Sequence, residues 1–94
     1  MDHNIDAKKE LFEAILKLKT QADCDAFFDD LLTKKELEAM SQRIHAAKLL
    51  LAGKTYEQII KETQISSTTL SRISTCVRYG KGGYKLVLGE KNVK

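Results

Sequence analysis

The chain has 94 residues and a net charge of +3, and it contains no proline or tryptophan. This length fits one domain over residues 1–94, and this composition favours helix. The two cysteines, Cys24 and Cys76, are isolated, which argues against a zinc site or a disulfide and favours buried, reduced thiols. Because no stretch is typical of a signal peptide or a membrane span, we expect a cytoplasmic protein with no membrane partner.

Charge is distributed unevenly along the chain. Residues 1–38 hold ten acidic and six basic side chains, whereas residues 39–94 hold three acidic and ten basic ones. The two balances are therefore −4 and +7. A basic half is typical of a surface that faces phosphates, although an ordinary solvated surface accounts for the same asymmetry.

Three helices are predicted in the first half of the chain. The first covers residues 5–18, with Leu11, Ile15 and Leu18 on one face. Thr20 is predicted to cap the second helix. The third begins with a capping box at residues 33–36 and ends near Gly53, which we expect in a left-handed cap. Its apolar positions occupy more than one side, so more than one surface must cover it.

Residues 55–79 carry the pattern of a helix-turn-helix unit. A second capping box begins a short helix at Thr55, and this helix ends near Thr63. A turn follows at residues 64–65, and Ser66 or Ser67 caps a second helix that runs to about residue 79. Two short helices joined in this way form a helix-turn-helix.

The second helix of this unit is predicted to have an apolar face and a polar face. The apolar face contains Leu70, Ile73 and Val77. It is predicted to pack on the isoleucines at the elbow between the two helices, which are Ile59, Ile60 and Ile65. The polar face and cap supply candidate DNA contacts, namely Ser66, Ser67, Thr68, Ser71 and Arg72. Short side chains allow close approach to the major groove, and hydroxyls bond base edges or phosphates. The helix N-terminus can hold a phosphate.

A helical hairpin that only packs is the alternative for this unit. Many helix-turn-helix units have a small residue where Ile60 stands and a glycine where Gln64 stands. Neither residue type is present here. DNA binding is nevertheless favoured over this alternative.

Residues 80–94 are predicted to form a glycine hinge and a short C-terminal segment. The hinge covers residues 80–83, residues 84–88 form one or two helical turns, and residues 90–94 form a frayed tail. Lys81 is a further candidate for contact with the DNA backbone.

Nothing in the sequence points to catalysis. His45 is alone on its helix, and no nucleophile–base pair or metal-ligand spacing is visible. We therefore expect that the protein is not an enzyme, has no catalytic residue and holds neither a metal nor a cofactor.

The order and spacing of these motifs resemble the Trp repressor superfamily. The matching segments are residues 31–40, LLTKKELEAM, then residues 43–44, residues 49–53 and residues 69–72. The ending YGKGGY at residues 79–84 resembles the YerC/YecD branch of that superfamily. The resemblance covers about residues 31–84.

The resemblance implies an all-α, intertwined homodimer. In this family the dimerisation helices, here residues 1–52, interlock between two chains, and two helix-turn-helix heads bind a palindromic operator. It thus implies a sequence-specific DNA-binding transcription regulator that acts as a repressor on double-stranded DNA. The alternative is a dimeric helical interaction module that kept the fold without operator recognition.

The resemblance also implies an effector site at Thr33, Arg43 and Arg72. In the family two arginines sandwich the indole ring of a tryptophan co-repressor. Here Ile73 replaces a glycine and Cys76 replaces a serine that helps to hold the ligand amino group. Tryptophan is therefore disfavoured, and the identity of any small-molecule co-repressor stays open.

Each arginine of this site also has a simpler interpretation. For Arg43 a surface ion pair with a helix carboxylate such as Glu36 or Glu38, from another turn or another chain, is slightly favoured over ligand binding. For Arg72 a phosphate contact is clearly favoured.

Overall fold

The protein is all-α in a computed structural model that describes the backbone of residues 3–89 and the side chains of residues 6–89. Six helices lie within the described residues: α1 His3–Ile15, α2 Gln21–Leu31, α3 Lys34–Leu51, α4 Tyr56–Thr63, α5 Ser67–Tyr79 and α6 Gly83–Leu88. The predicted frayed tail at residues 90–94 lies outside the described residues. The chain divides into two compact units, Met1–Leu37 and Glu38–Lys94, called here the first unit and the second unit.

Helix α1 ends earlier than the sequence predicts. The Lys17 amide donates to the Ala14 carbonyl at 3.1 Å, and the Leu18 amide donates to the Ile15 carbonyl at 3.0 Å. Each bond spans three residues, which tightens the chain and ends the regular helix. The prediction that Leu18 belongs to α1 is therefore wrong, because α1 ends at Ile15.

The predicted N-terminal caps of α2 and α3 are confirmed. The Thr20 hydroxyl accepts a hydrogen bond from the Asp23 amide at 3.0 Å. At the start of α3, the Thr33 hydroxyl accepts from the Glu36 amide at 3.1 Å, and the Thr33 amide donates to the Glu36 carboxylate at 2.8 Å. These bonds satisfy amides that the helices themselves leave without partners.

The first unit buries none of its described side chains, which are those of residues 6–37. Phe27 and Phe28 pack edge to face with ring centroids 5.1 Å apart, but both remain partly accessible. The exposed large apolar side chains of this unit are Leu11, Phe12, Leu16 and Leu31. The first unit thus presents apolar surface that its own residues do not cover.

The second unit has a buried apolar core, to which α3, α4 and α5 contribute. The buried apolar residues are Ala46 and Ala47 of α3, Ile59 of α4, Ile65 of the following turn, and Leu70 and Ile73 of α5. The alanines leave room for close approach of the other helices. Gly53 ends α3 with φ +89°, as predicted, and the Lys54 amide donates to the Leu49 carbonyl at 3.0 Å. This core supports the segment predicted to read DNA.

The cysteines are free, as expected, but they are less buried than predicted. Cys24 is half-buried and Cys76 is exposed. Cys76 lies beside, and not within, the stripe of α5 that faces the core, which contains Leu70 and Ile73.

None of the helices in the described residues combines the length and the apolar character that a membrane crossing requires.

Candidate nucleic-acid interface

The first helix of the predicted reading unit, α4, is held at its N-terminus by the capping box that the sequence predicts. The Thr55 hydroxyl accepts from the Gln58 amide at 3.1 Å, and the Thr55 amide donates to the Gln58 side-chain oxygen at 2.9 Å. Gln58 thus fills the third helical position, which in such boxes holds a glutamate or glutamine.

The turn between α4 and α5 has a left-handed residue at Gln64, with φ +65° and ψ +15°. This is the position at which many related units have a glycine. The Gln64 amide donates to the Ile60 carbonyl at 2.7 Å, and the Gln64 side-chain amide donates to the Lys61 carbonyl at 2.8 Å. The glutamine therefore adopts the turn that the hairpin needs, at the cost of a backbone conformation that L side chains disfavour.

The elbow of the unit is packed as predicted. Ile59, Ile65, Leu70 and Ile73 are buried, whereas Ile60 and Val77 are half-buried against them. The buried Thr63 hydroxyl donates to the Ile59 carbonyl at 2.7 Å and accepts from the Ile65 amide at 3.3 Å. These contacts fix the direction in which α5 leaves the turn.

The structure brings four of the six candidate DNA contacts to one side of α5. Ser67, Thr68, Ser71 and Arg72 are exposed there, while Leu70, Ile73 and Ser74 are buried on the other side. Lys81 is exposed in the segment that follows α5.

Ser66, the sixth candidate, is the N-cap of α5. Its hydroxyl accepts from the Thr69 amide at 3.0 Å and lies 3.0 Å from the Thr69 hydroxyl. Ser66 is exposed, but its oxygen already serves the helix, so the candidates available for base contact begin at Ser67.

An open cleft of about 510 Å³ lies beside α5 in the second unit. Its lining residues are Arg43, Thr69, Arg72, Ile73, Cys76 and Tyr84. Ile73 is buried in the cleft, whereas both arginines are exposed. Arg43 has no ion pair within the described part of the chain, so an ion pair with a carboxylate of another chain stays a prediction.

The structure thus brings Arg43 and Arg72, two of the three predicted effector residues, to one cleft. The third, Thr33, belongs to the first unit, where its hydroxyl caps α3.

Sequence reasoning did not assign Thr69 and Tyr84 to this cleft. Tyr84 comes from α6, where Tyr84 and Leu88 are half-buried against the core of the second unit. The spacing of four between these two residues is the signal that could have placed one face of α6 against α5.

Comparisons with known proteins agree on one family. A family model described as "Trp repressor protein" matches residues 7–92. The chain is 42% identical over 79 residues to YerC, an uncharacterized protein of Bacillus subtilis. The aligned residues cover 84% of this chain and 76% of YerC. The fold is similar to that of a Staphylococcus aureus protein whose crystal structure is described as that of a Trp repressor. The TM-score is 0.86 and the identity is 39%, over 94% of this chain and 88% of that one. A TrpR-like protein from Eubacterium eligens gives a TM-score of 0.84 and 39% identity, over 87% of this chain and 84% of that one.

Proposed function

Because the chain belongs to the Trp repressor family, whose fold is that of helix-turn-helix regulators, we propose that it binds double-stranded DNA as a homodimer and represses transcription at a palindromic operator. The observation that carries this proposal is the division of α5 into two faces. One face is packed into the core, and the other exposes Ser67, Thr68, Ser71 and Arg72.

The exposed face of α5 has the chemistry that major-groove reading requires. Its hydroxyls are short, so the helix backbone can approach the bases, and they donate to or accept from base edges. The Ser66 cap bonds the third amide of α5, at Thr69, while the amides of Ser67 and Thr68 are the first two of the helix. A phosphate is stabilised at such an end, and Arg72 and Lys81 add positive charge nearby.

A homodimer is supported by the apolar surface that the chain leaves uncovered. Besides the exposed apolar residues of the first unit, Met40 and Ile44 are exposed on α3. A second copy of the chain would bury these side chains and would place two reading heads on one duplex.

A salt titration with a variant of Arg72 and a control variant tests DNA binding. We expect affinity for a random-sequence duplex at low salt, falling steeply as salt rises because phosphate contacts release counterions. Arg72→Ala should weaken this binding about tenfold, since it removes a charge-assisted contact from the exposed face of α5. Fluorescence anisotropy measures the affinity, and sedimentation shows whether the dimer is intact.

Lys9→Ala is the control, because it also removes one exposed positive charge but lies on α1, which carries none of the candidate DNA contacts. It should change the affinity less than Arg72→Ala does. A protein with no affinity for duplex DNA even at low salt would contradict the proposal and would favour the dimeric interaction module. If Arg72→Ala dissociated the dimer, its role would be structural.

The cleft beside α5 supports control of the same site by a small anionic molecule. Two guanidinium groups, those of Arg43 and Arg72, line one cleft and suit a carboxylate or phosphate. Arg72 also belongs to the exposed face of α5, so a ligand that bound it would alter the DNA-facing surface.

Tryptophan is not the expected ligand, because the Ile73 side chain fills part of the cleft and Cys76 is a weak hydrogen-bond partner. Addition of L-tryptophan at millimolar concentration should therefore leave the melting temperature unchanged. A reproducible rise in that temperature would show binding and would contradict this expectation.

A further inference from the structure

Two polar side chains of α3 contact the last turn of α4. The side-chain amide of Gln42 donates to the Thr63 carbonyl at 3.2 Å. One helical turn along α3, the ring nitrogen Nε2 of His45 lies 2.8 Å from the Glu62 carboxylate, which can only accept. We call these four residues, Gln42, His45, Glu62 and Thr63, the α3–α4 clamp.

The Thr63 carbonyl lies where a helix has carbonyls without partners of its own. Three earlier carbonyls of α4 accept bonds from within the same segment: that of Ile59 from the Thr63 hydroxyl, and those of Ile60 and Lys61 from Gln64. Gln42 differs from these donors because it lies 21 residues before Thr63. It therefore ties the end of α4 to α3, whereas the other bonds tie the turn to itself.

The clamp lies next to the residue that sets the direction of α5. Thr63 is followed by the left-handed Gln64, and α5 begins at Ser67. Thr63 is buried, and its hydroxyl also accepts from the Ile65 amide. A shift of the Thr63 carbonyl would move the turn and, with it, the side chains of Ser67 and Thr68.

We propose that Gln42 is a positioning residue for DNA recognition, which acts by holding the Thr63 carbonyl and so fixes the angle of α5 against α3, with His45 as a second and weaker anchor. This inference rests on the proposed DNA binding. The His45–Glu62 contact is the weaker one because both side chains are about half exposed and water competes for them. Phosphate contacts tolerate small shifts of a helix, whereas base contacts do not, so the clamp should matter mainly for sequence-specific binding.

Gln42→Met is the direct test, because methionine has nearly the same shape and helix propensity but cannot donate. The probes are a duplex fragment selected from genomic DNA by the unaltered protein and a random-sequence duplex. We expect affinity for the selected fragment to fall about three- to tenfold, the range set by one lost hydrogen bond, and affinity for the random duplex to change less. Hydrogen exchange at the Gln64 and Ile65 amides should accelerate, while exchange at the Leu70 amide should not.

Gln21→Met, at the exposed first residue of α2, is the matched control and should leave both affinities unchanged. His45→Gln tests the second anchor and should reduce affinity for the selected fragment by less than Gln42→Met. It also provides an independent measurement if Gln42→Met folds poorly.

The results separate the inference from the proposed function. If the unaltered protein binds no duplex DNA, the proposed function fails and the inference fails with it. If the unaltered protein binds but Gln42→Met keeps the same preference for the selected fragment, the inference alone is overturned. An equal loss for both duplexes also overturns it, because that result would mean a general defect and not a loss of positioning.

Discussion

The two units of the chain are equally helical but differ in how they bury apolar side chains. In the first unit none of the side chains of residues 6–37 is buried, and Leu16 is 82% exposed. In the second unit Ile59 and Leu70 are completely buried. Helix caps of the same kind, a threonine hydroxyl paired with a carboxylate or amide, begin α3 and α4.

This difference shows that capping and burial are separate requirements. A cap contributes about 1 kcal/mol, whereas full burial of a large apolar side chain contributes about 1.5–3 kcal/mol. The second unit has both contributions within one chain. The first unit has only the first of them, so we infer that it obtains its apolar burial from a second copy. The helix-turn-helix rests on a core within the second unit.

Among the variants that test the role of the first unit, Phe12→Gln in α1 should have the largest effect. Phe12 is 52% exposed, so a partner chain can bury about half of its surface, and a dimer contains two such side chains. Their loss should cost about 2–3 kcal/mol per dimer, which weakens dimerisation by a factor of about 30 to 150. Glutamine retains helix propensity, so α1 should still form. Sedimentation over a range of concentrations measures the change.

Glu13→Gln is the control for this variant, because it introduces the same residue at the next position of α1. Its dimerisation constant should match that of the unaltered protein. If Phe12→Gln also leaves the constant unchanged, α1 does not bury Phe12 in the dimer and the inferred role of the first unit is wrong. A monomeric unaltered protein at micromolar concentration would contradict the homodimer itself.

The local features of the fold could be predicted from the sequence. Thr20, Thr33, Thr55 and Gly53 act on atoms a few residues away, so their roles follow from short motifs. The end of α1 was less predictable, because Leu18 continues the apolar pattern although the chain tightens after Ile15. A pattern of side chains does not record where backbone bonds change their spacing.

The candidate site was only partly predictable, because it combines residues distant in sequence. The polar face of α5 follows from helical periodicity and needs no tertiary information. The meeting of Arg43 and Arg72 in one cleft followed from the family resemblance alone. Tyr84 in that cleft, and Gln42 at the end of α4, depend on how helices pack, which neither spacing nor capping motifs determine.

The second unit maintains a strained residue, the left-handed Gln64. A left-handed non-glycine residue costs about 1–2 kcal/mol, and such a cost is tolerated where surrounding contacts determine the conformation. Here the capped end of α4 and the buried Ile65 supply those contacts. The turn therefore depends on the core that the first unit lacks.

A pair of variants at Gln64 measures this strain. Gln64→Gly relieves the strain but loses the side-chain bond to the Lys61 carbonyl, whereas Gln64→Ala loses that bond and keeps the strain. Relief of the strain stabilises the glycine variant, but the greater entropy of glycine in the unfolded chain offsets part of this gain. The measured free energy of unfolding of the glycine variant should therefore be about 0.5–1 kcal/mol above that of the alanine variant. Denaturant unfolding at one protein concentration gives both values. An alanine variant as stable as the glycine variant would mean that the turn does not hold a left-handed residue in solution, and the direction assigned to α5 would then lose its support.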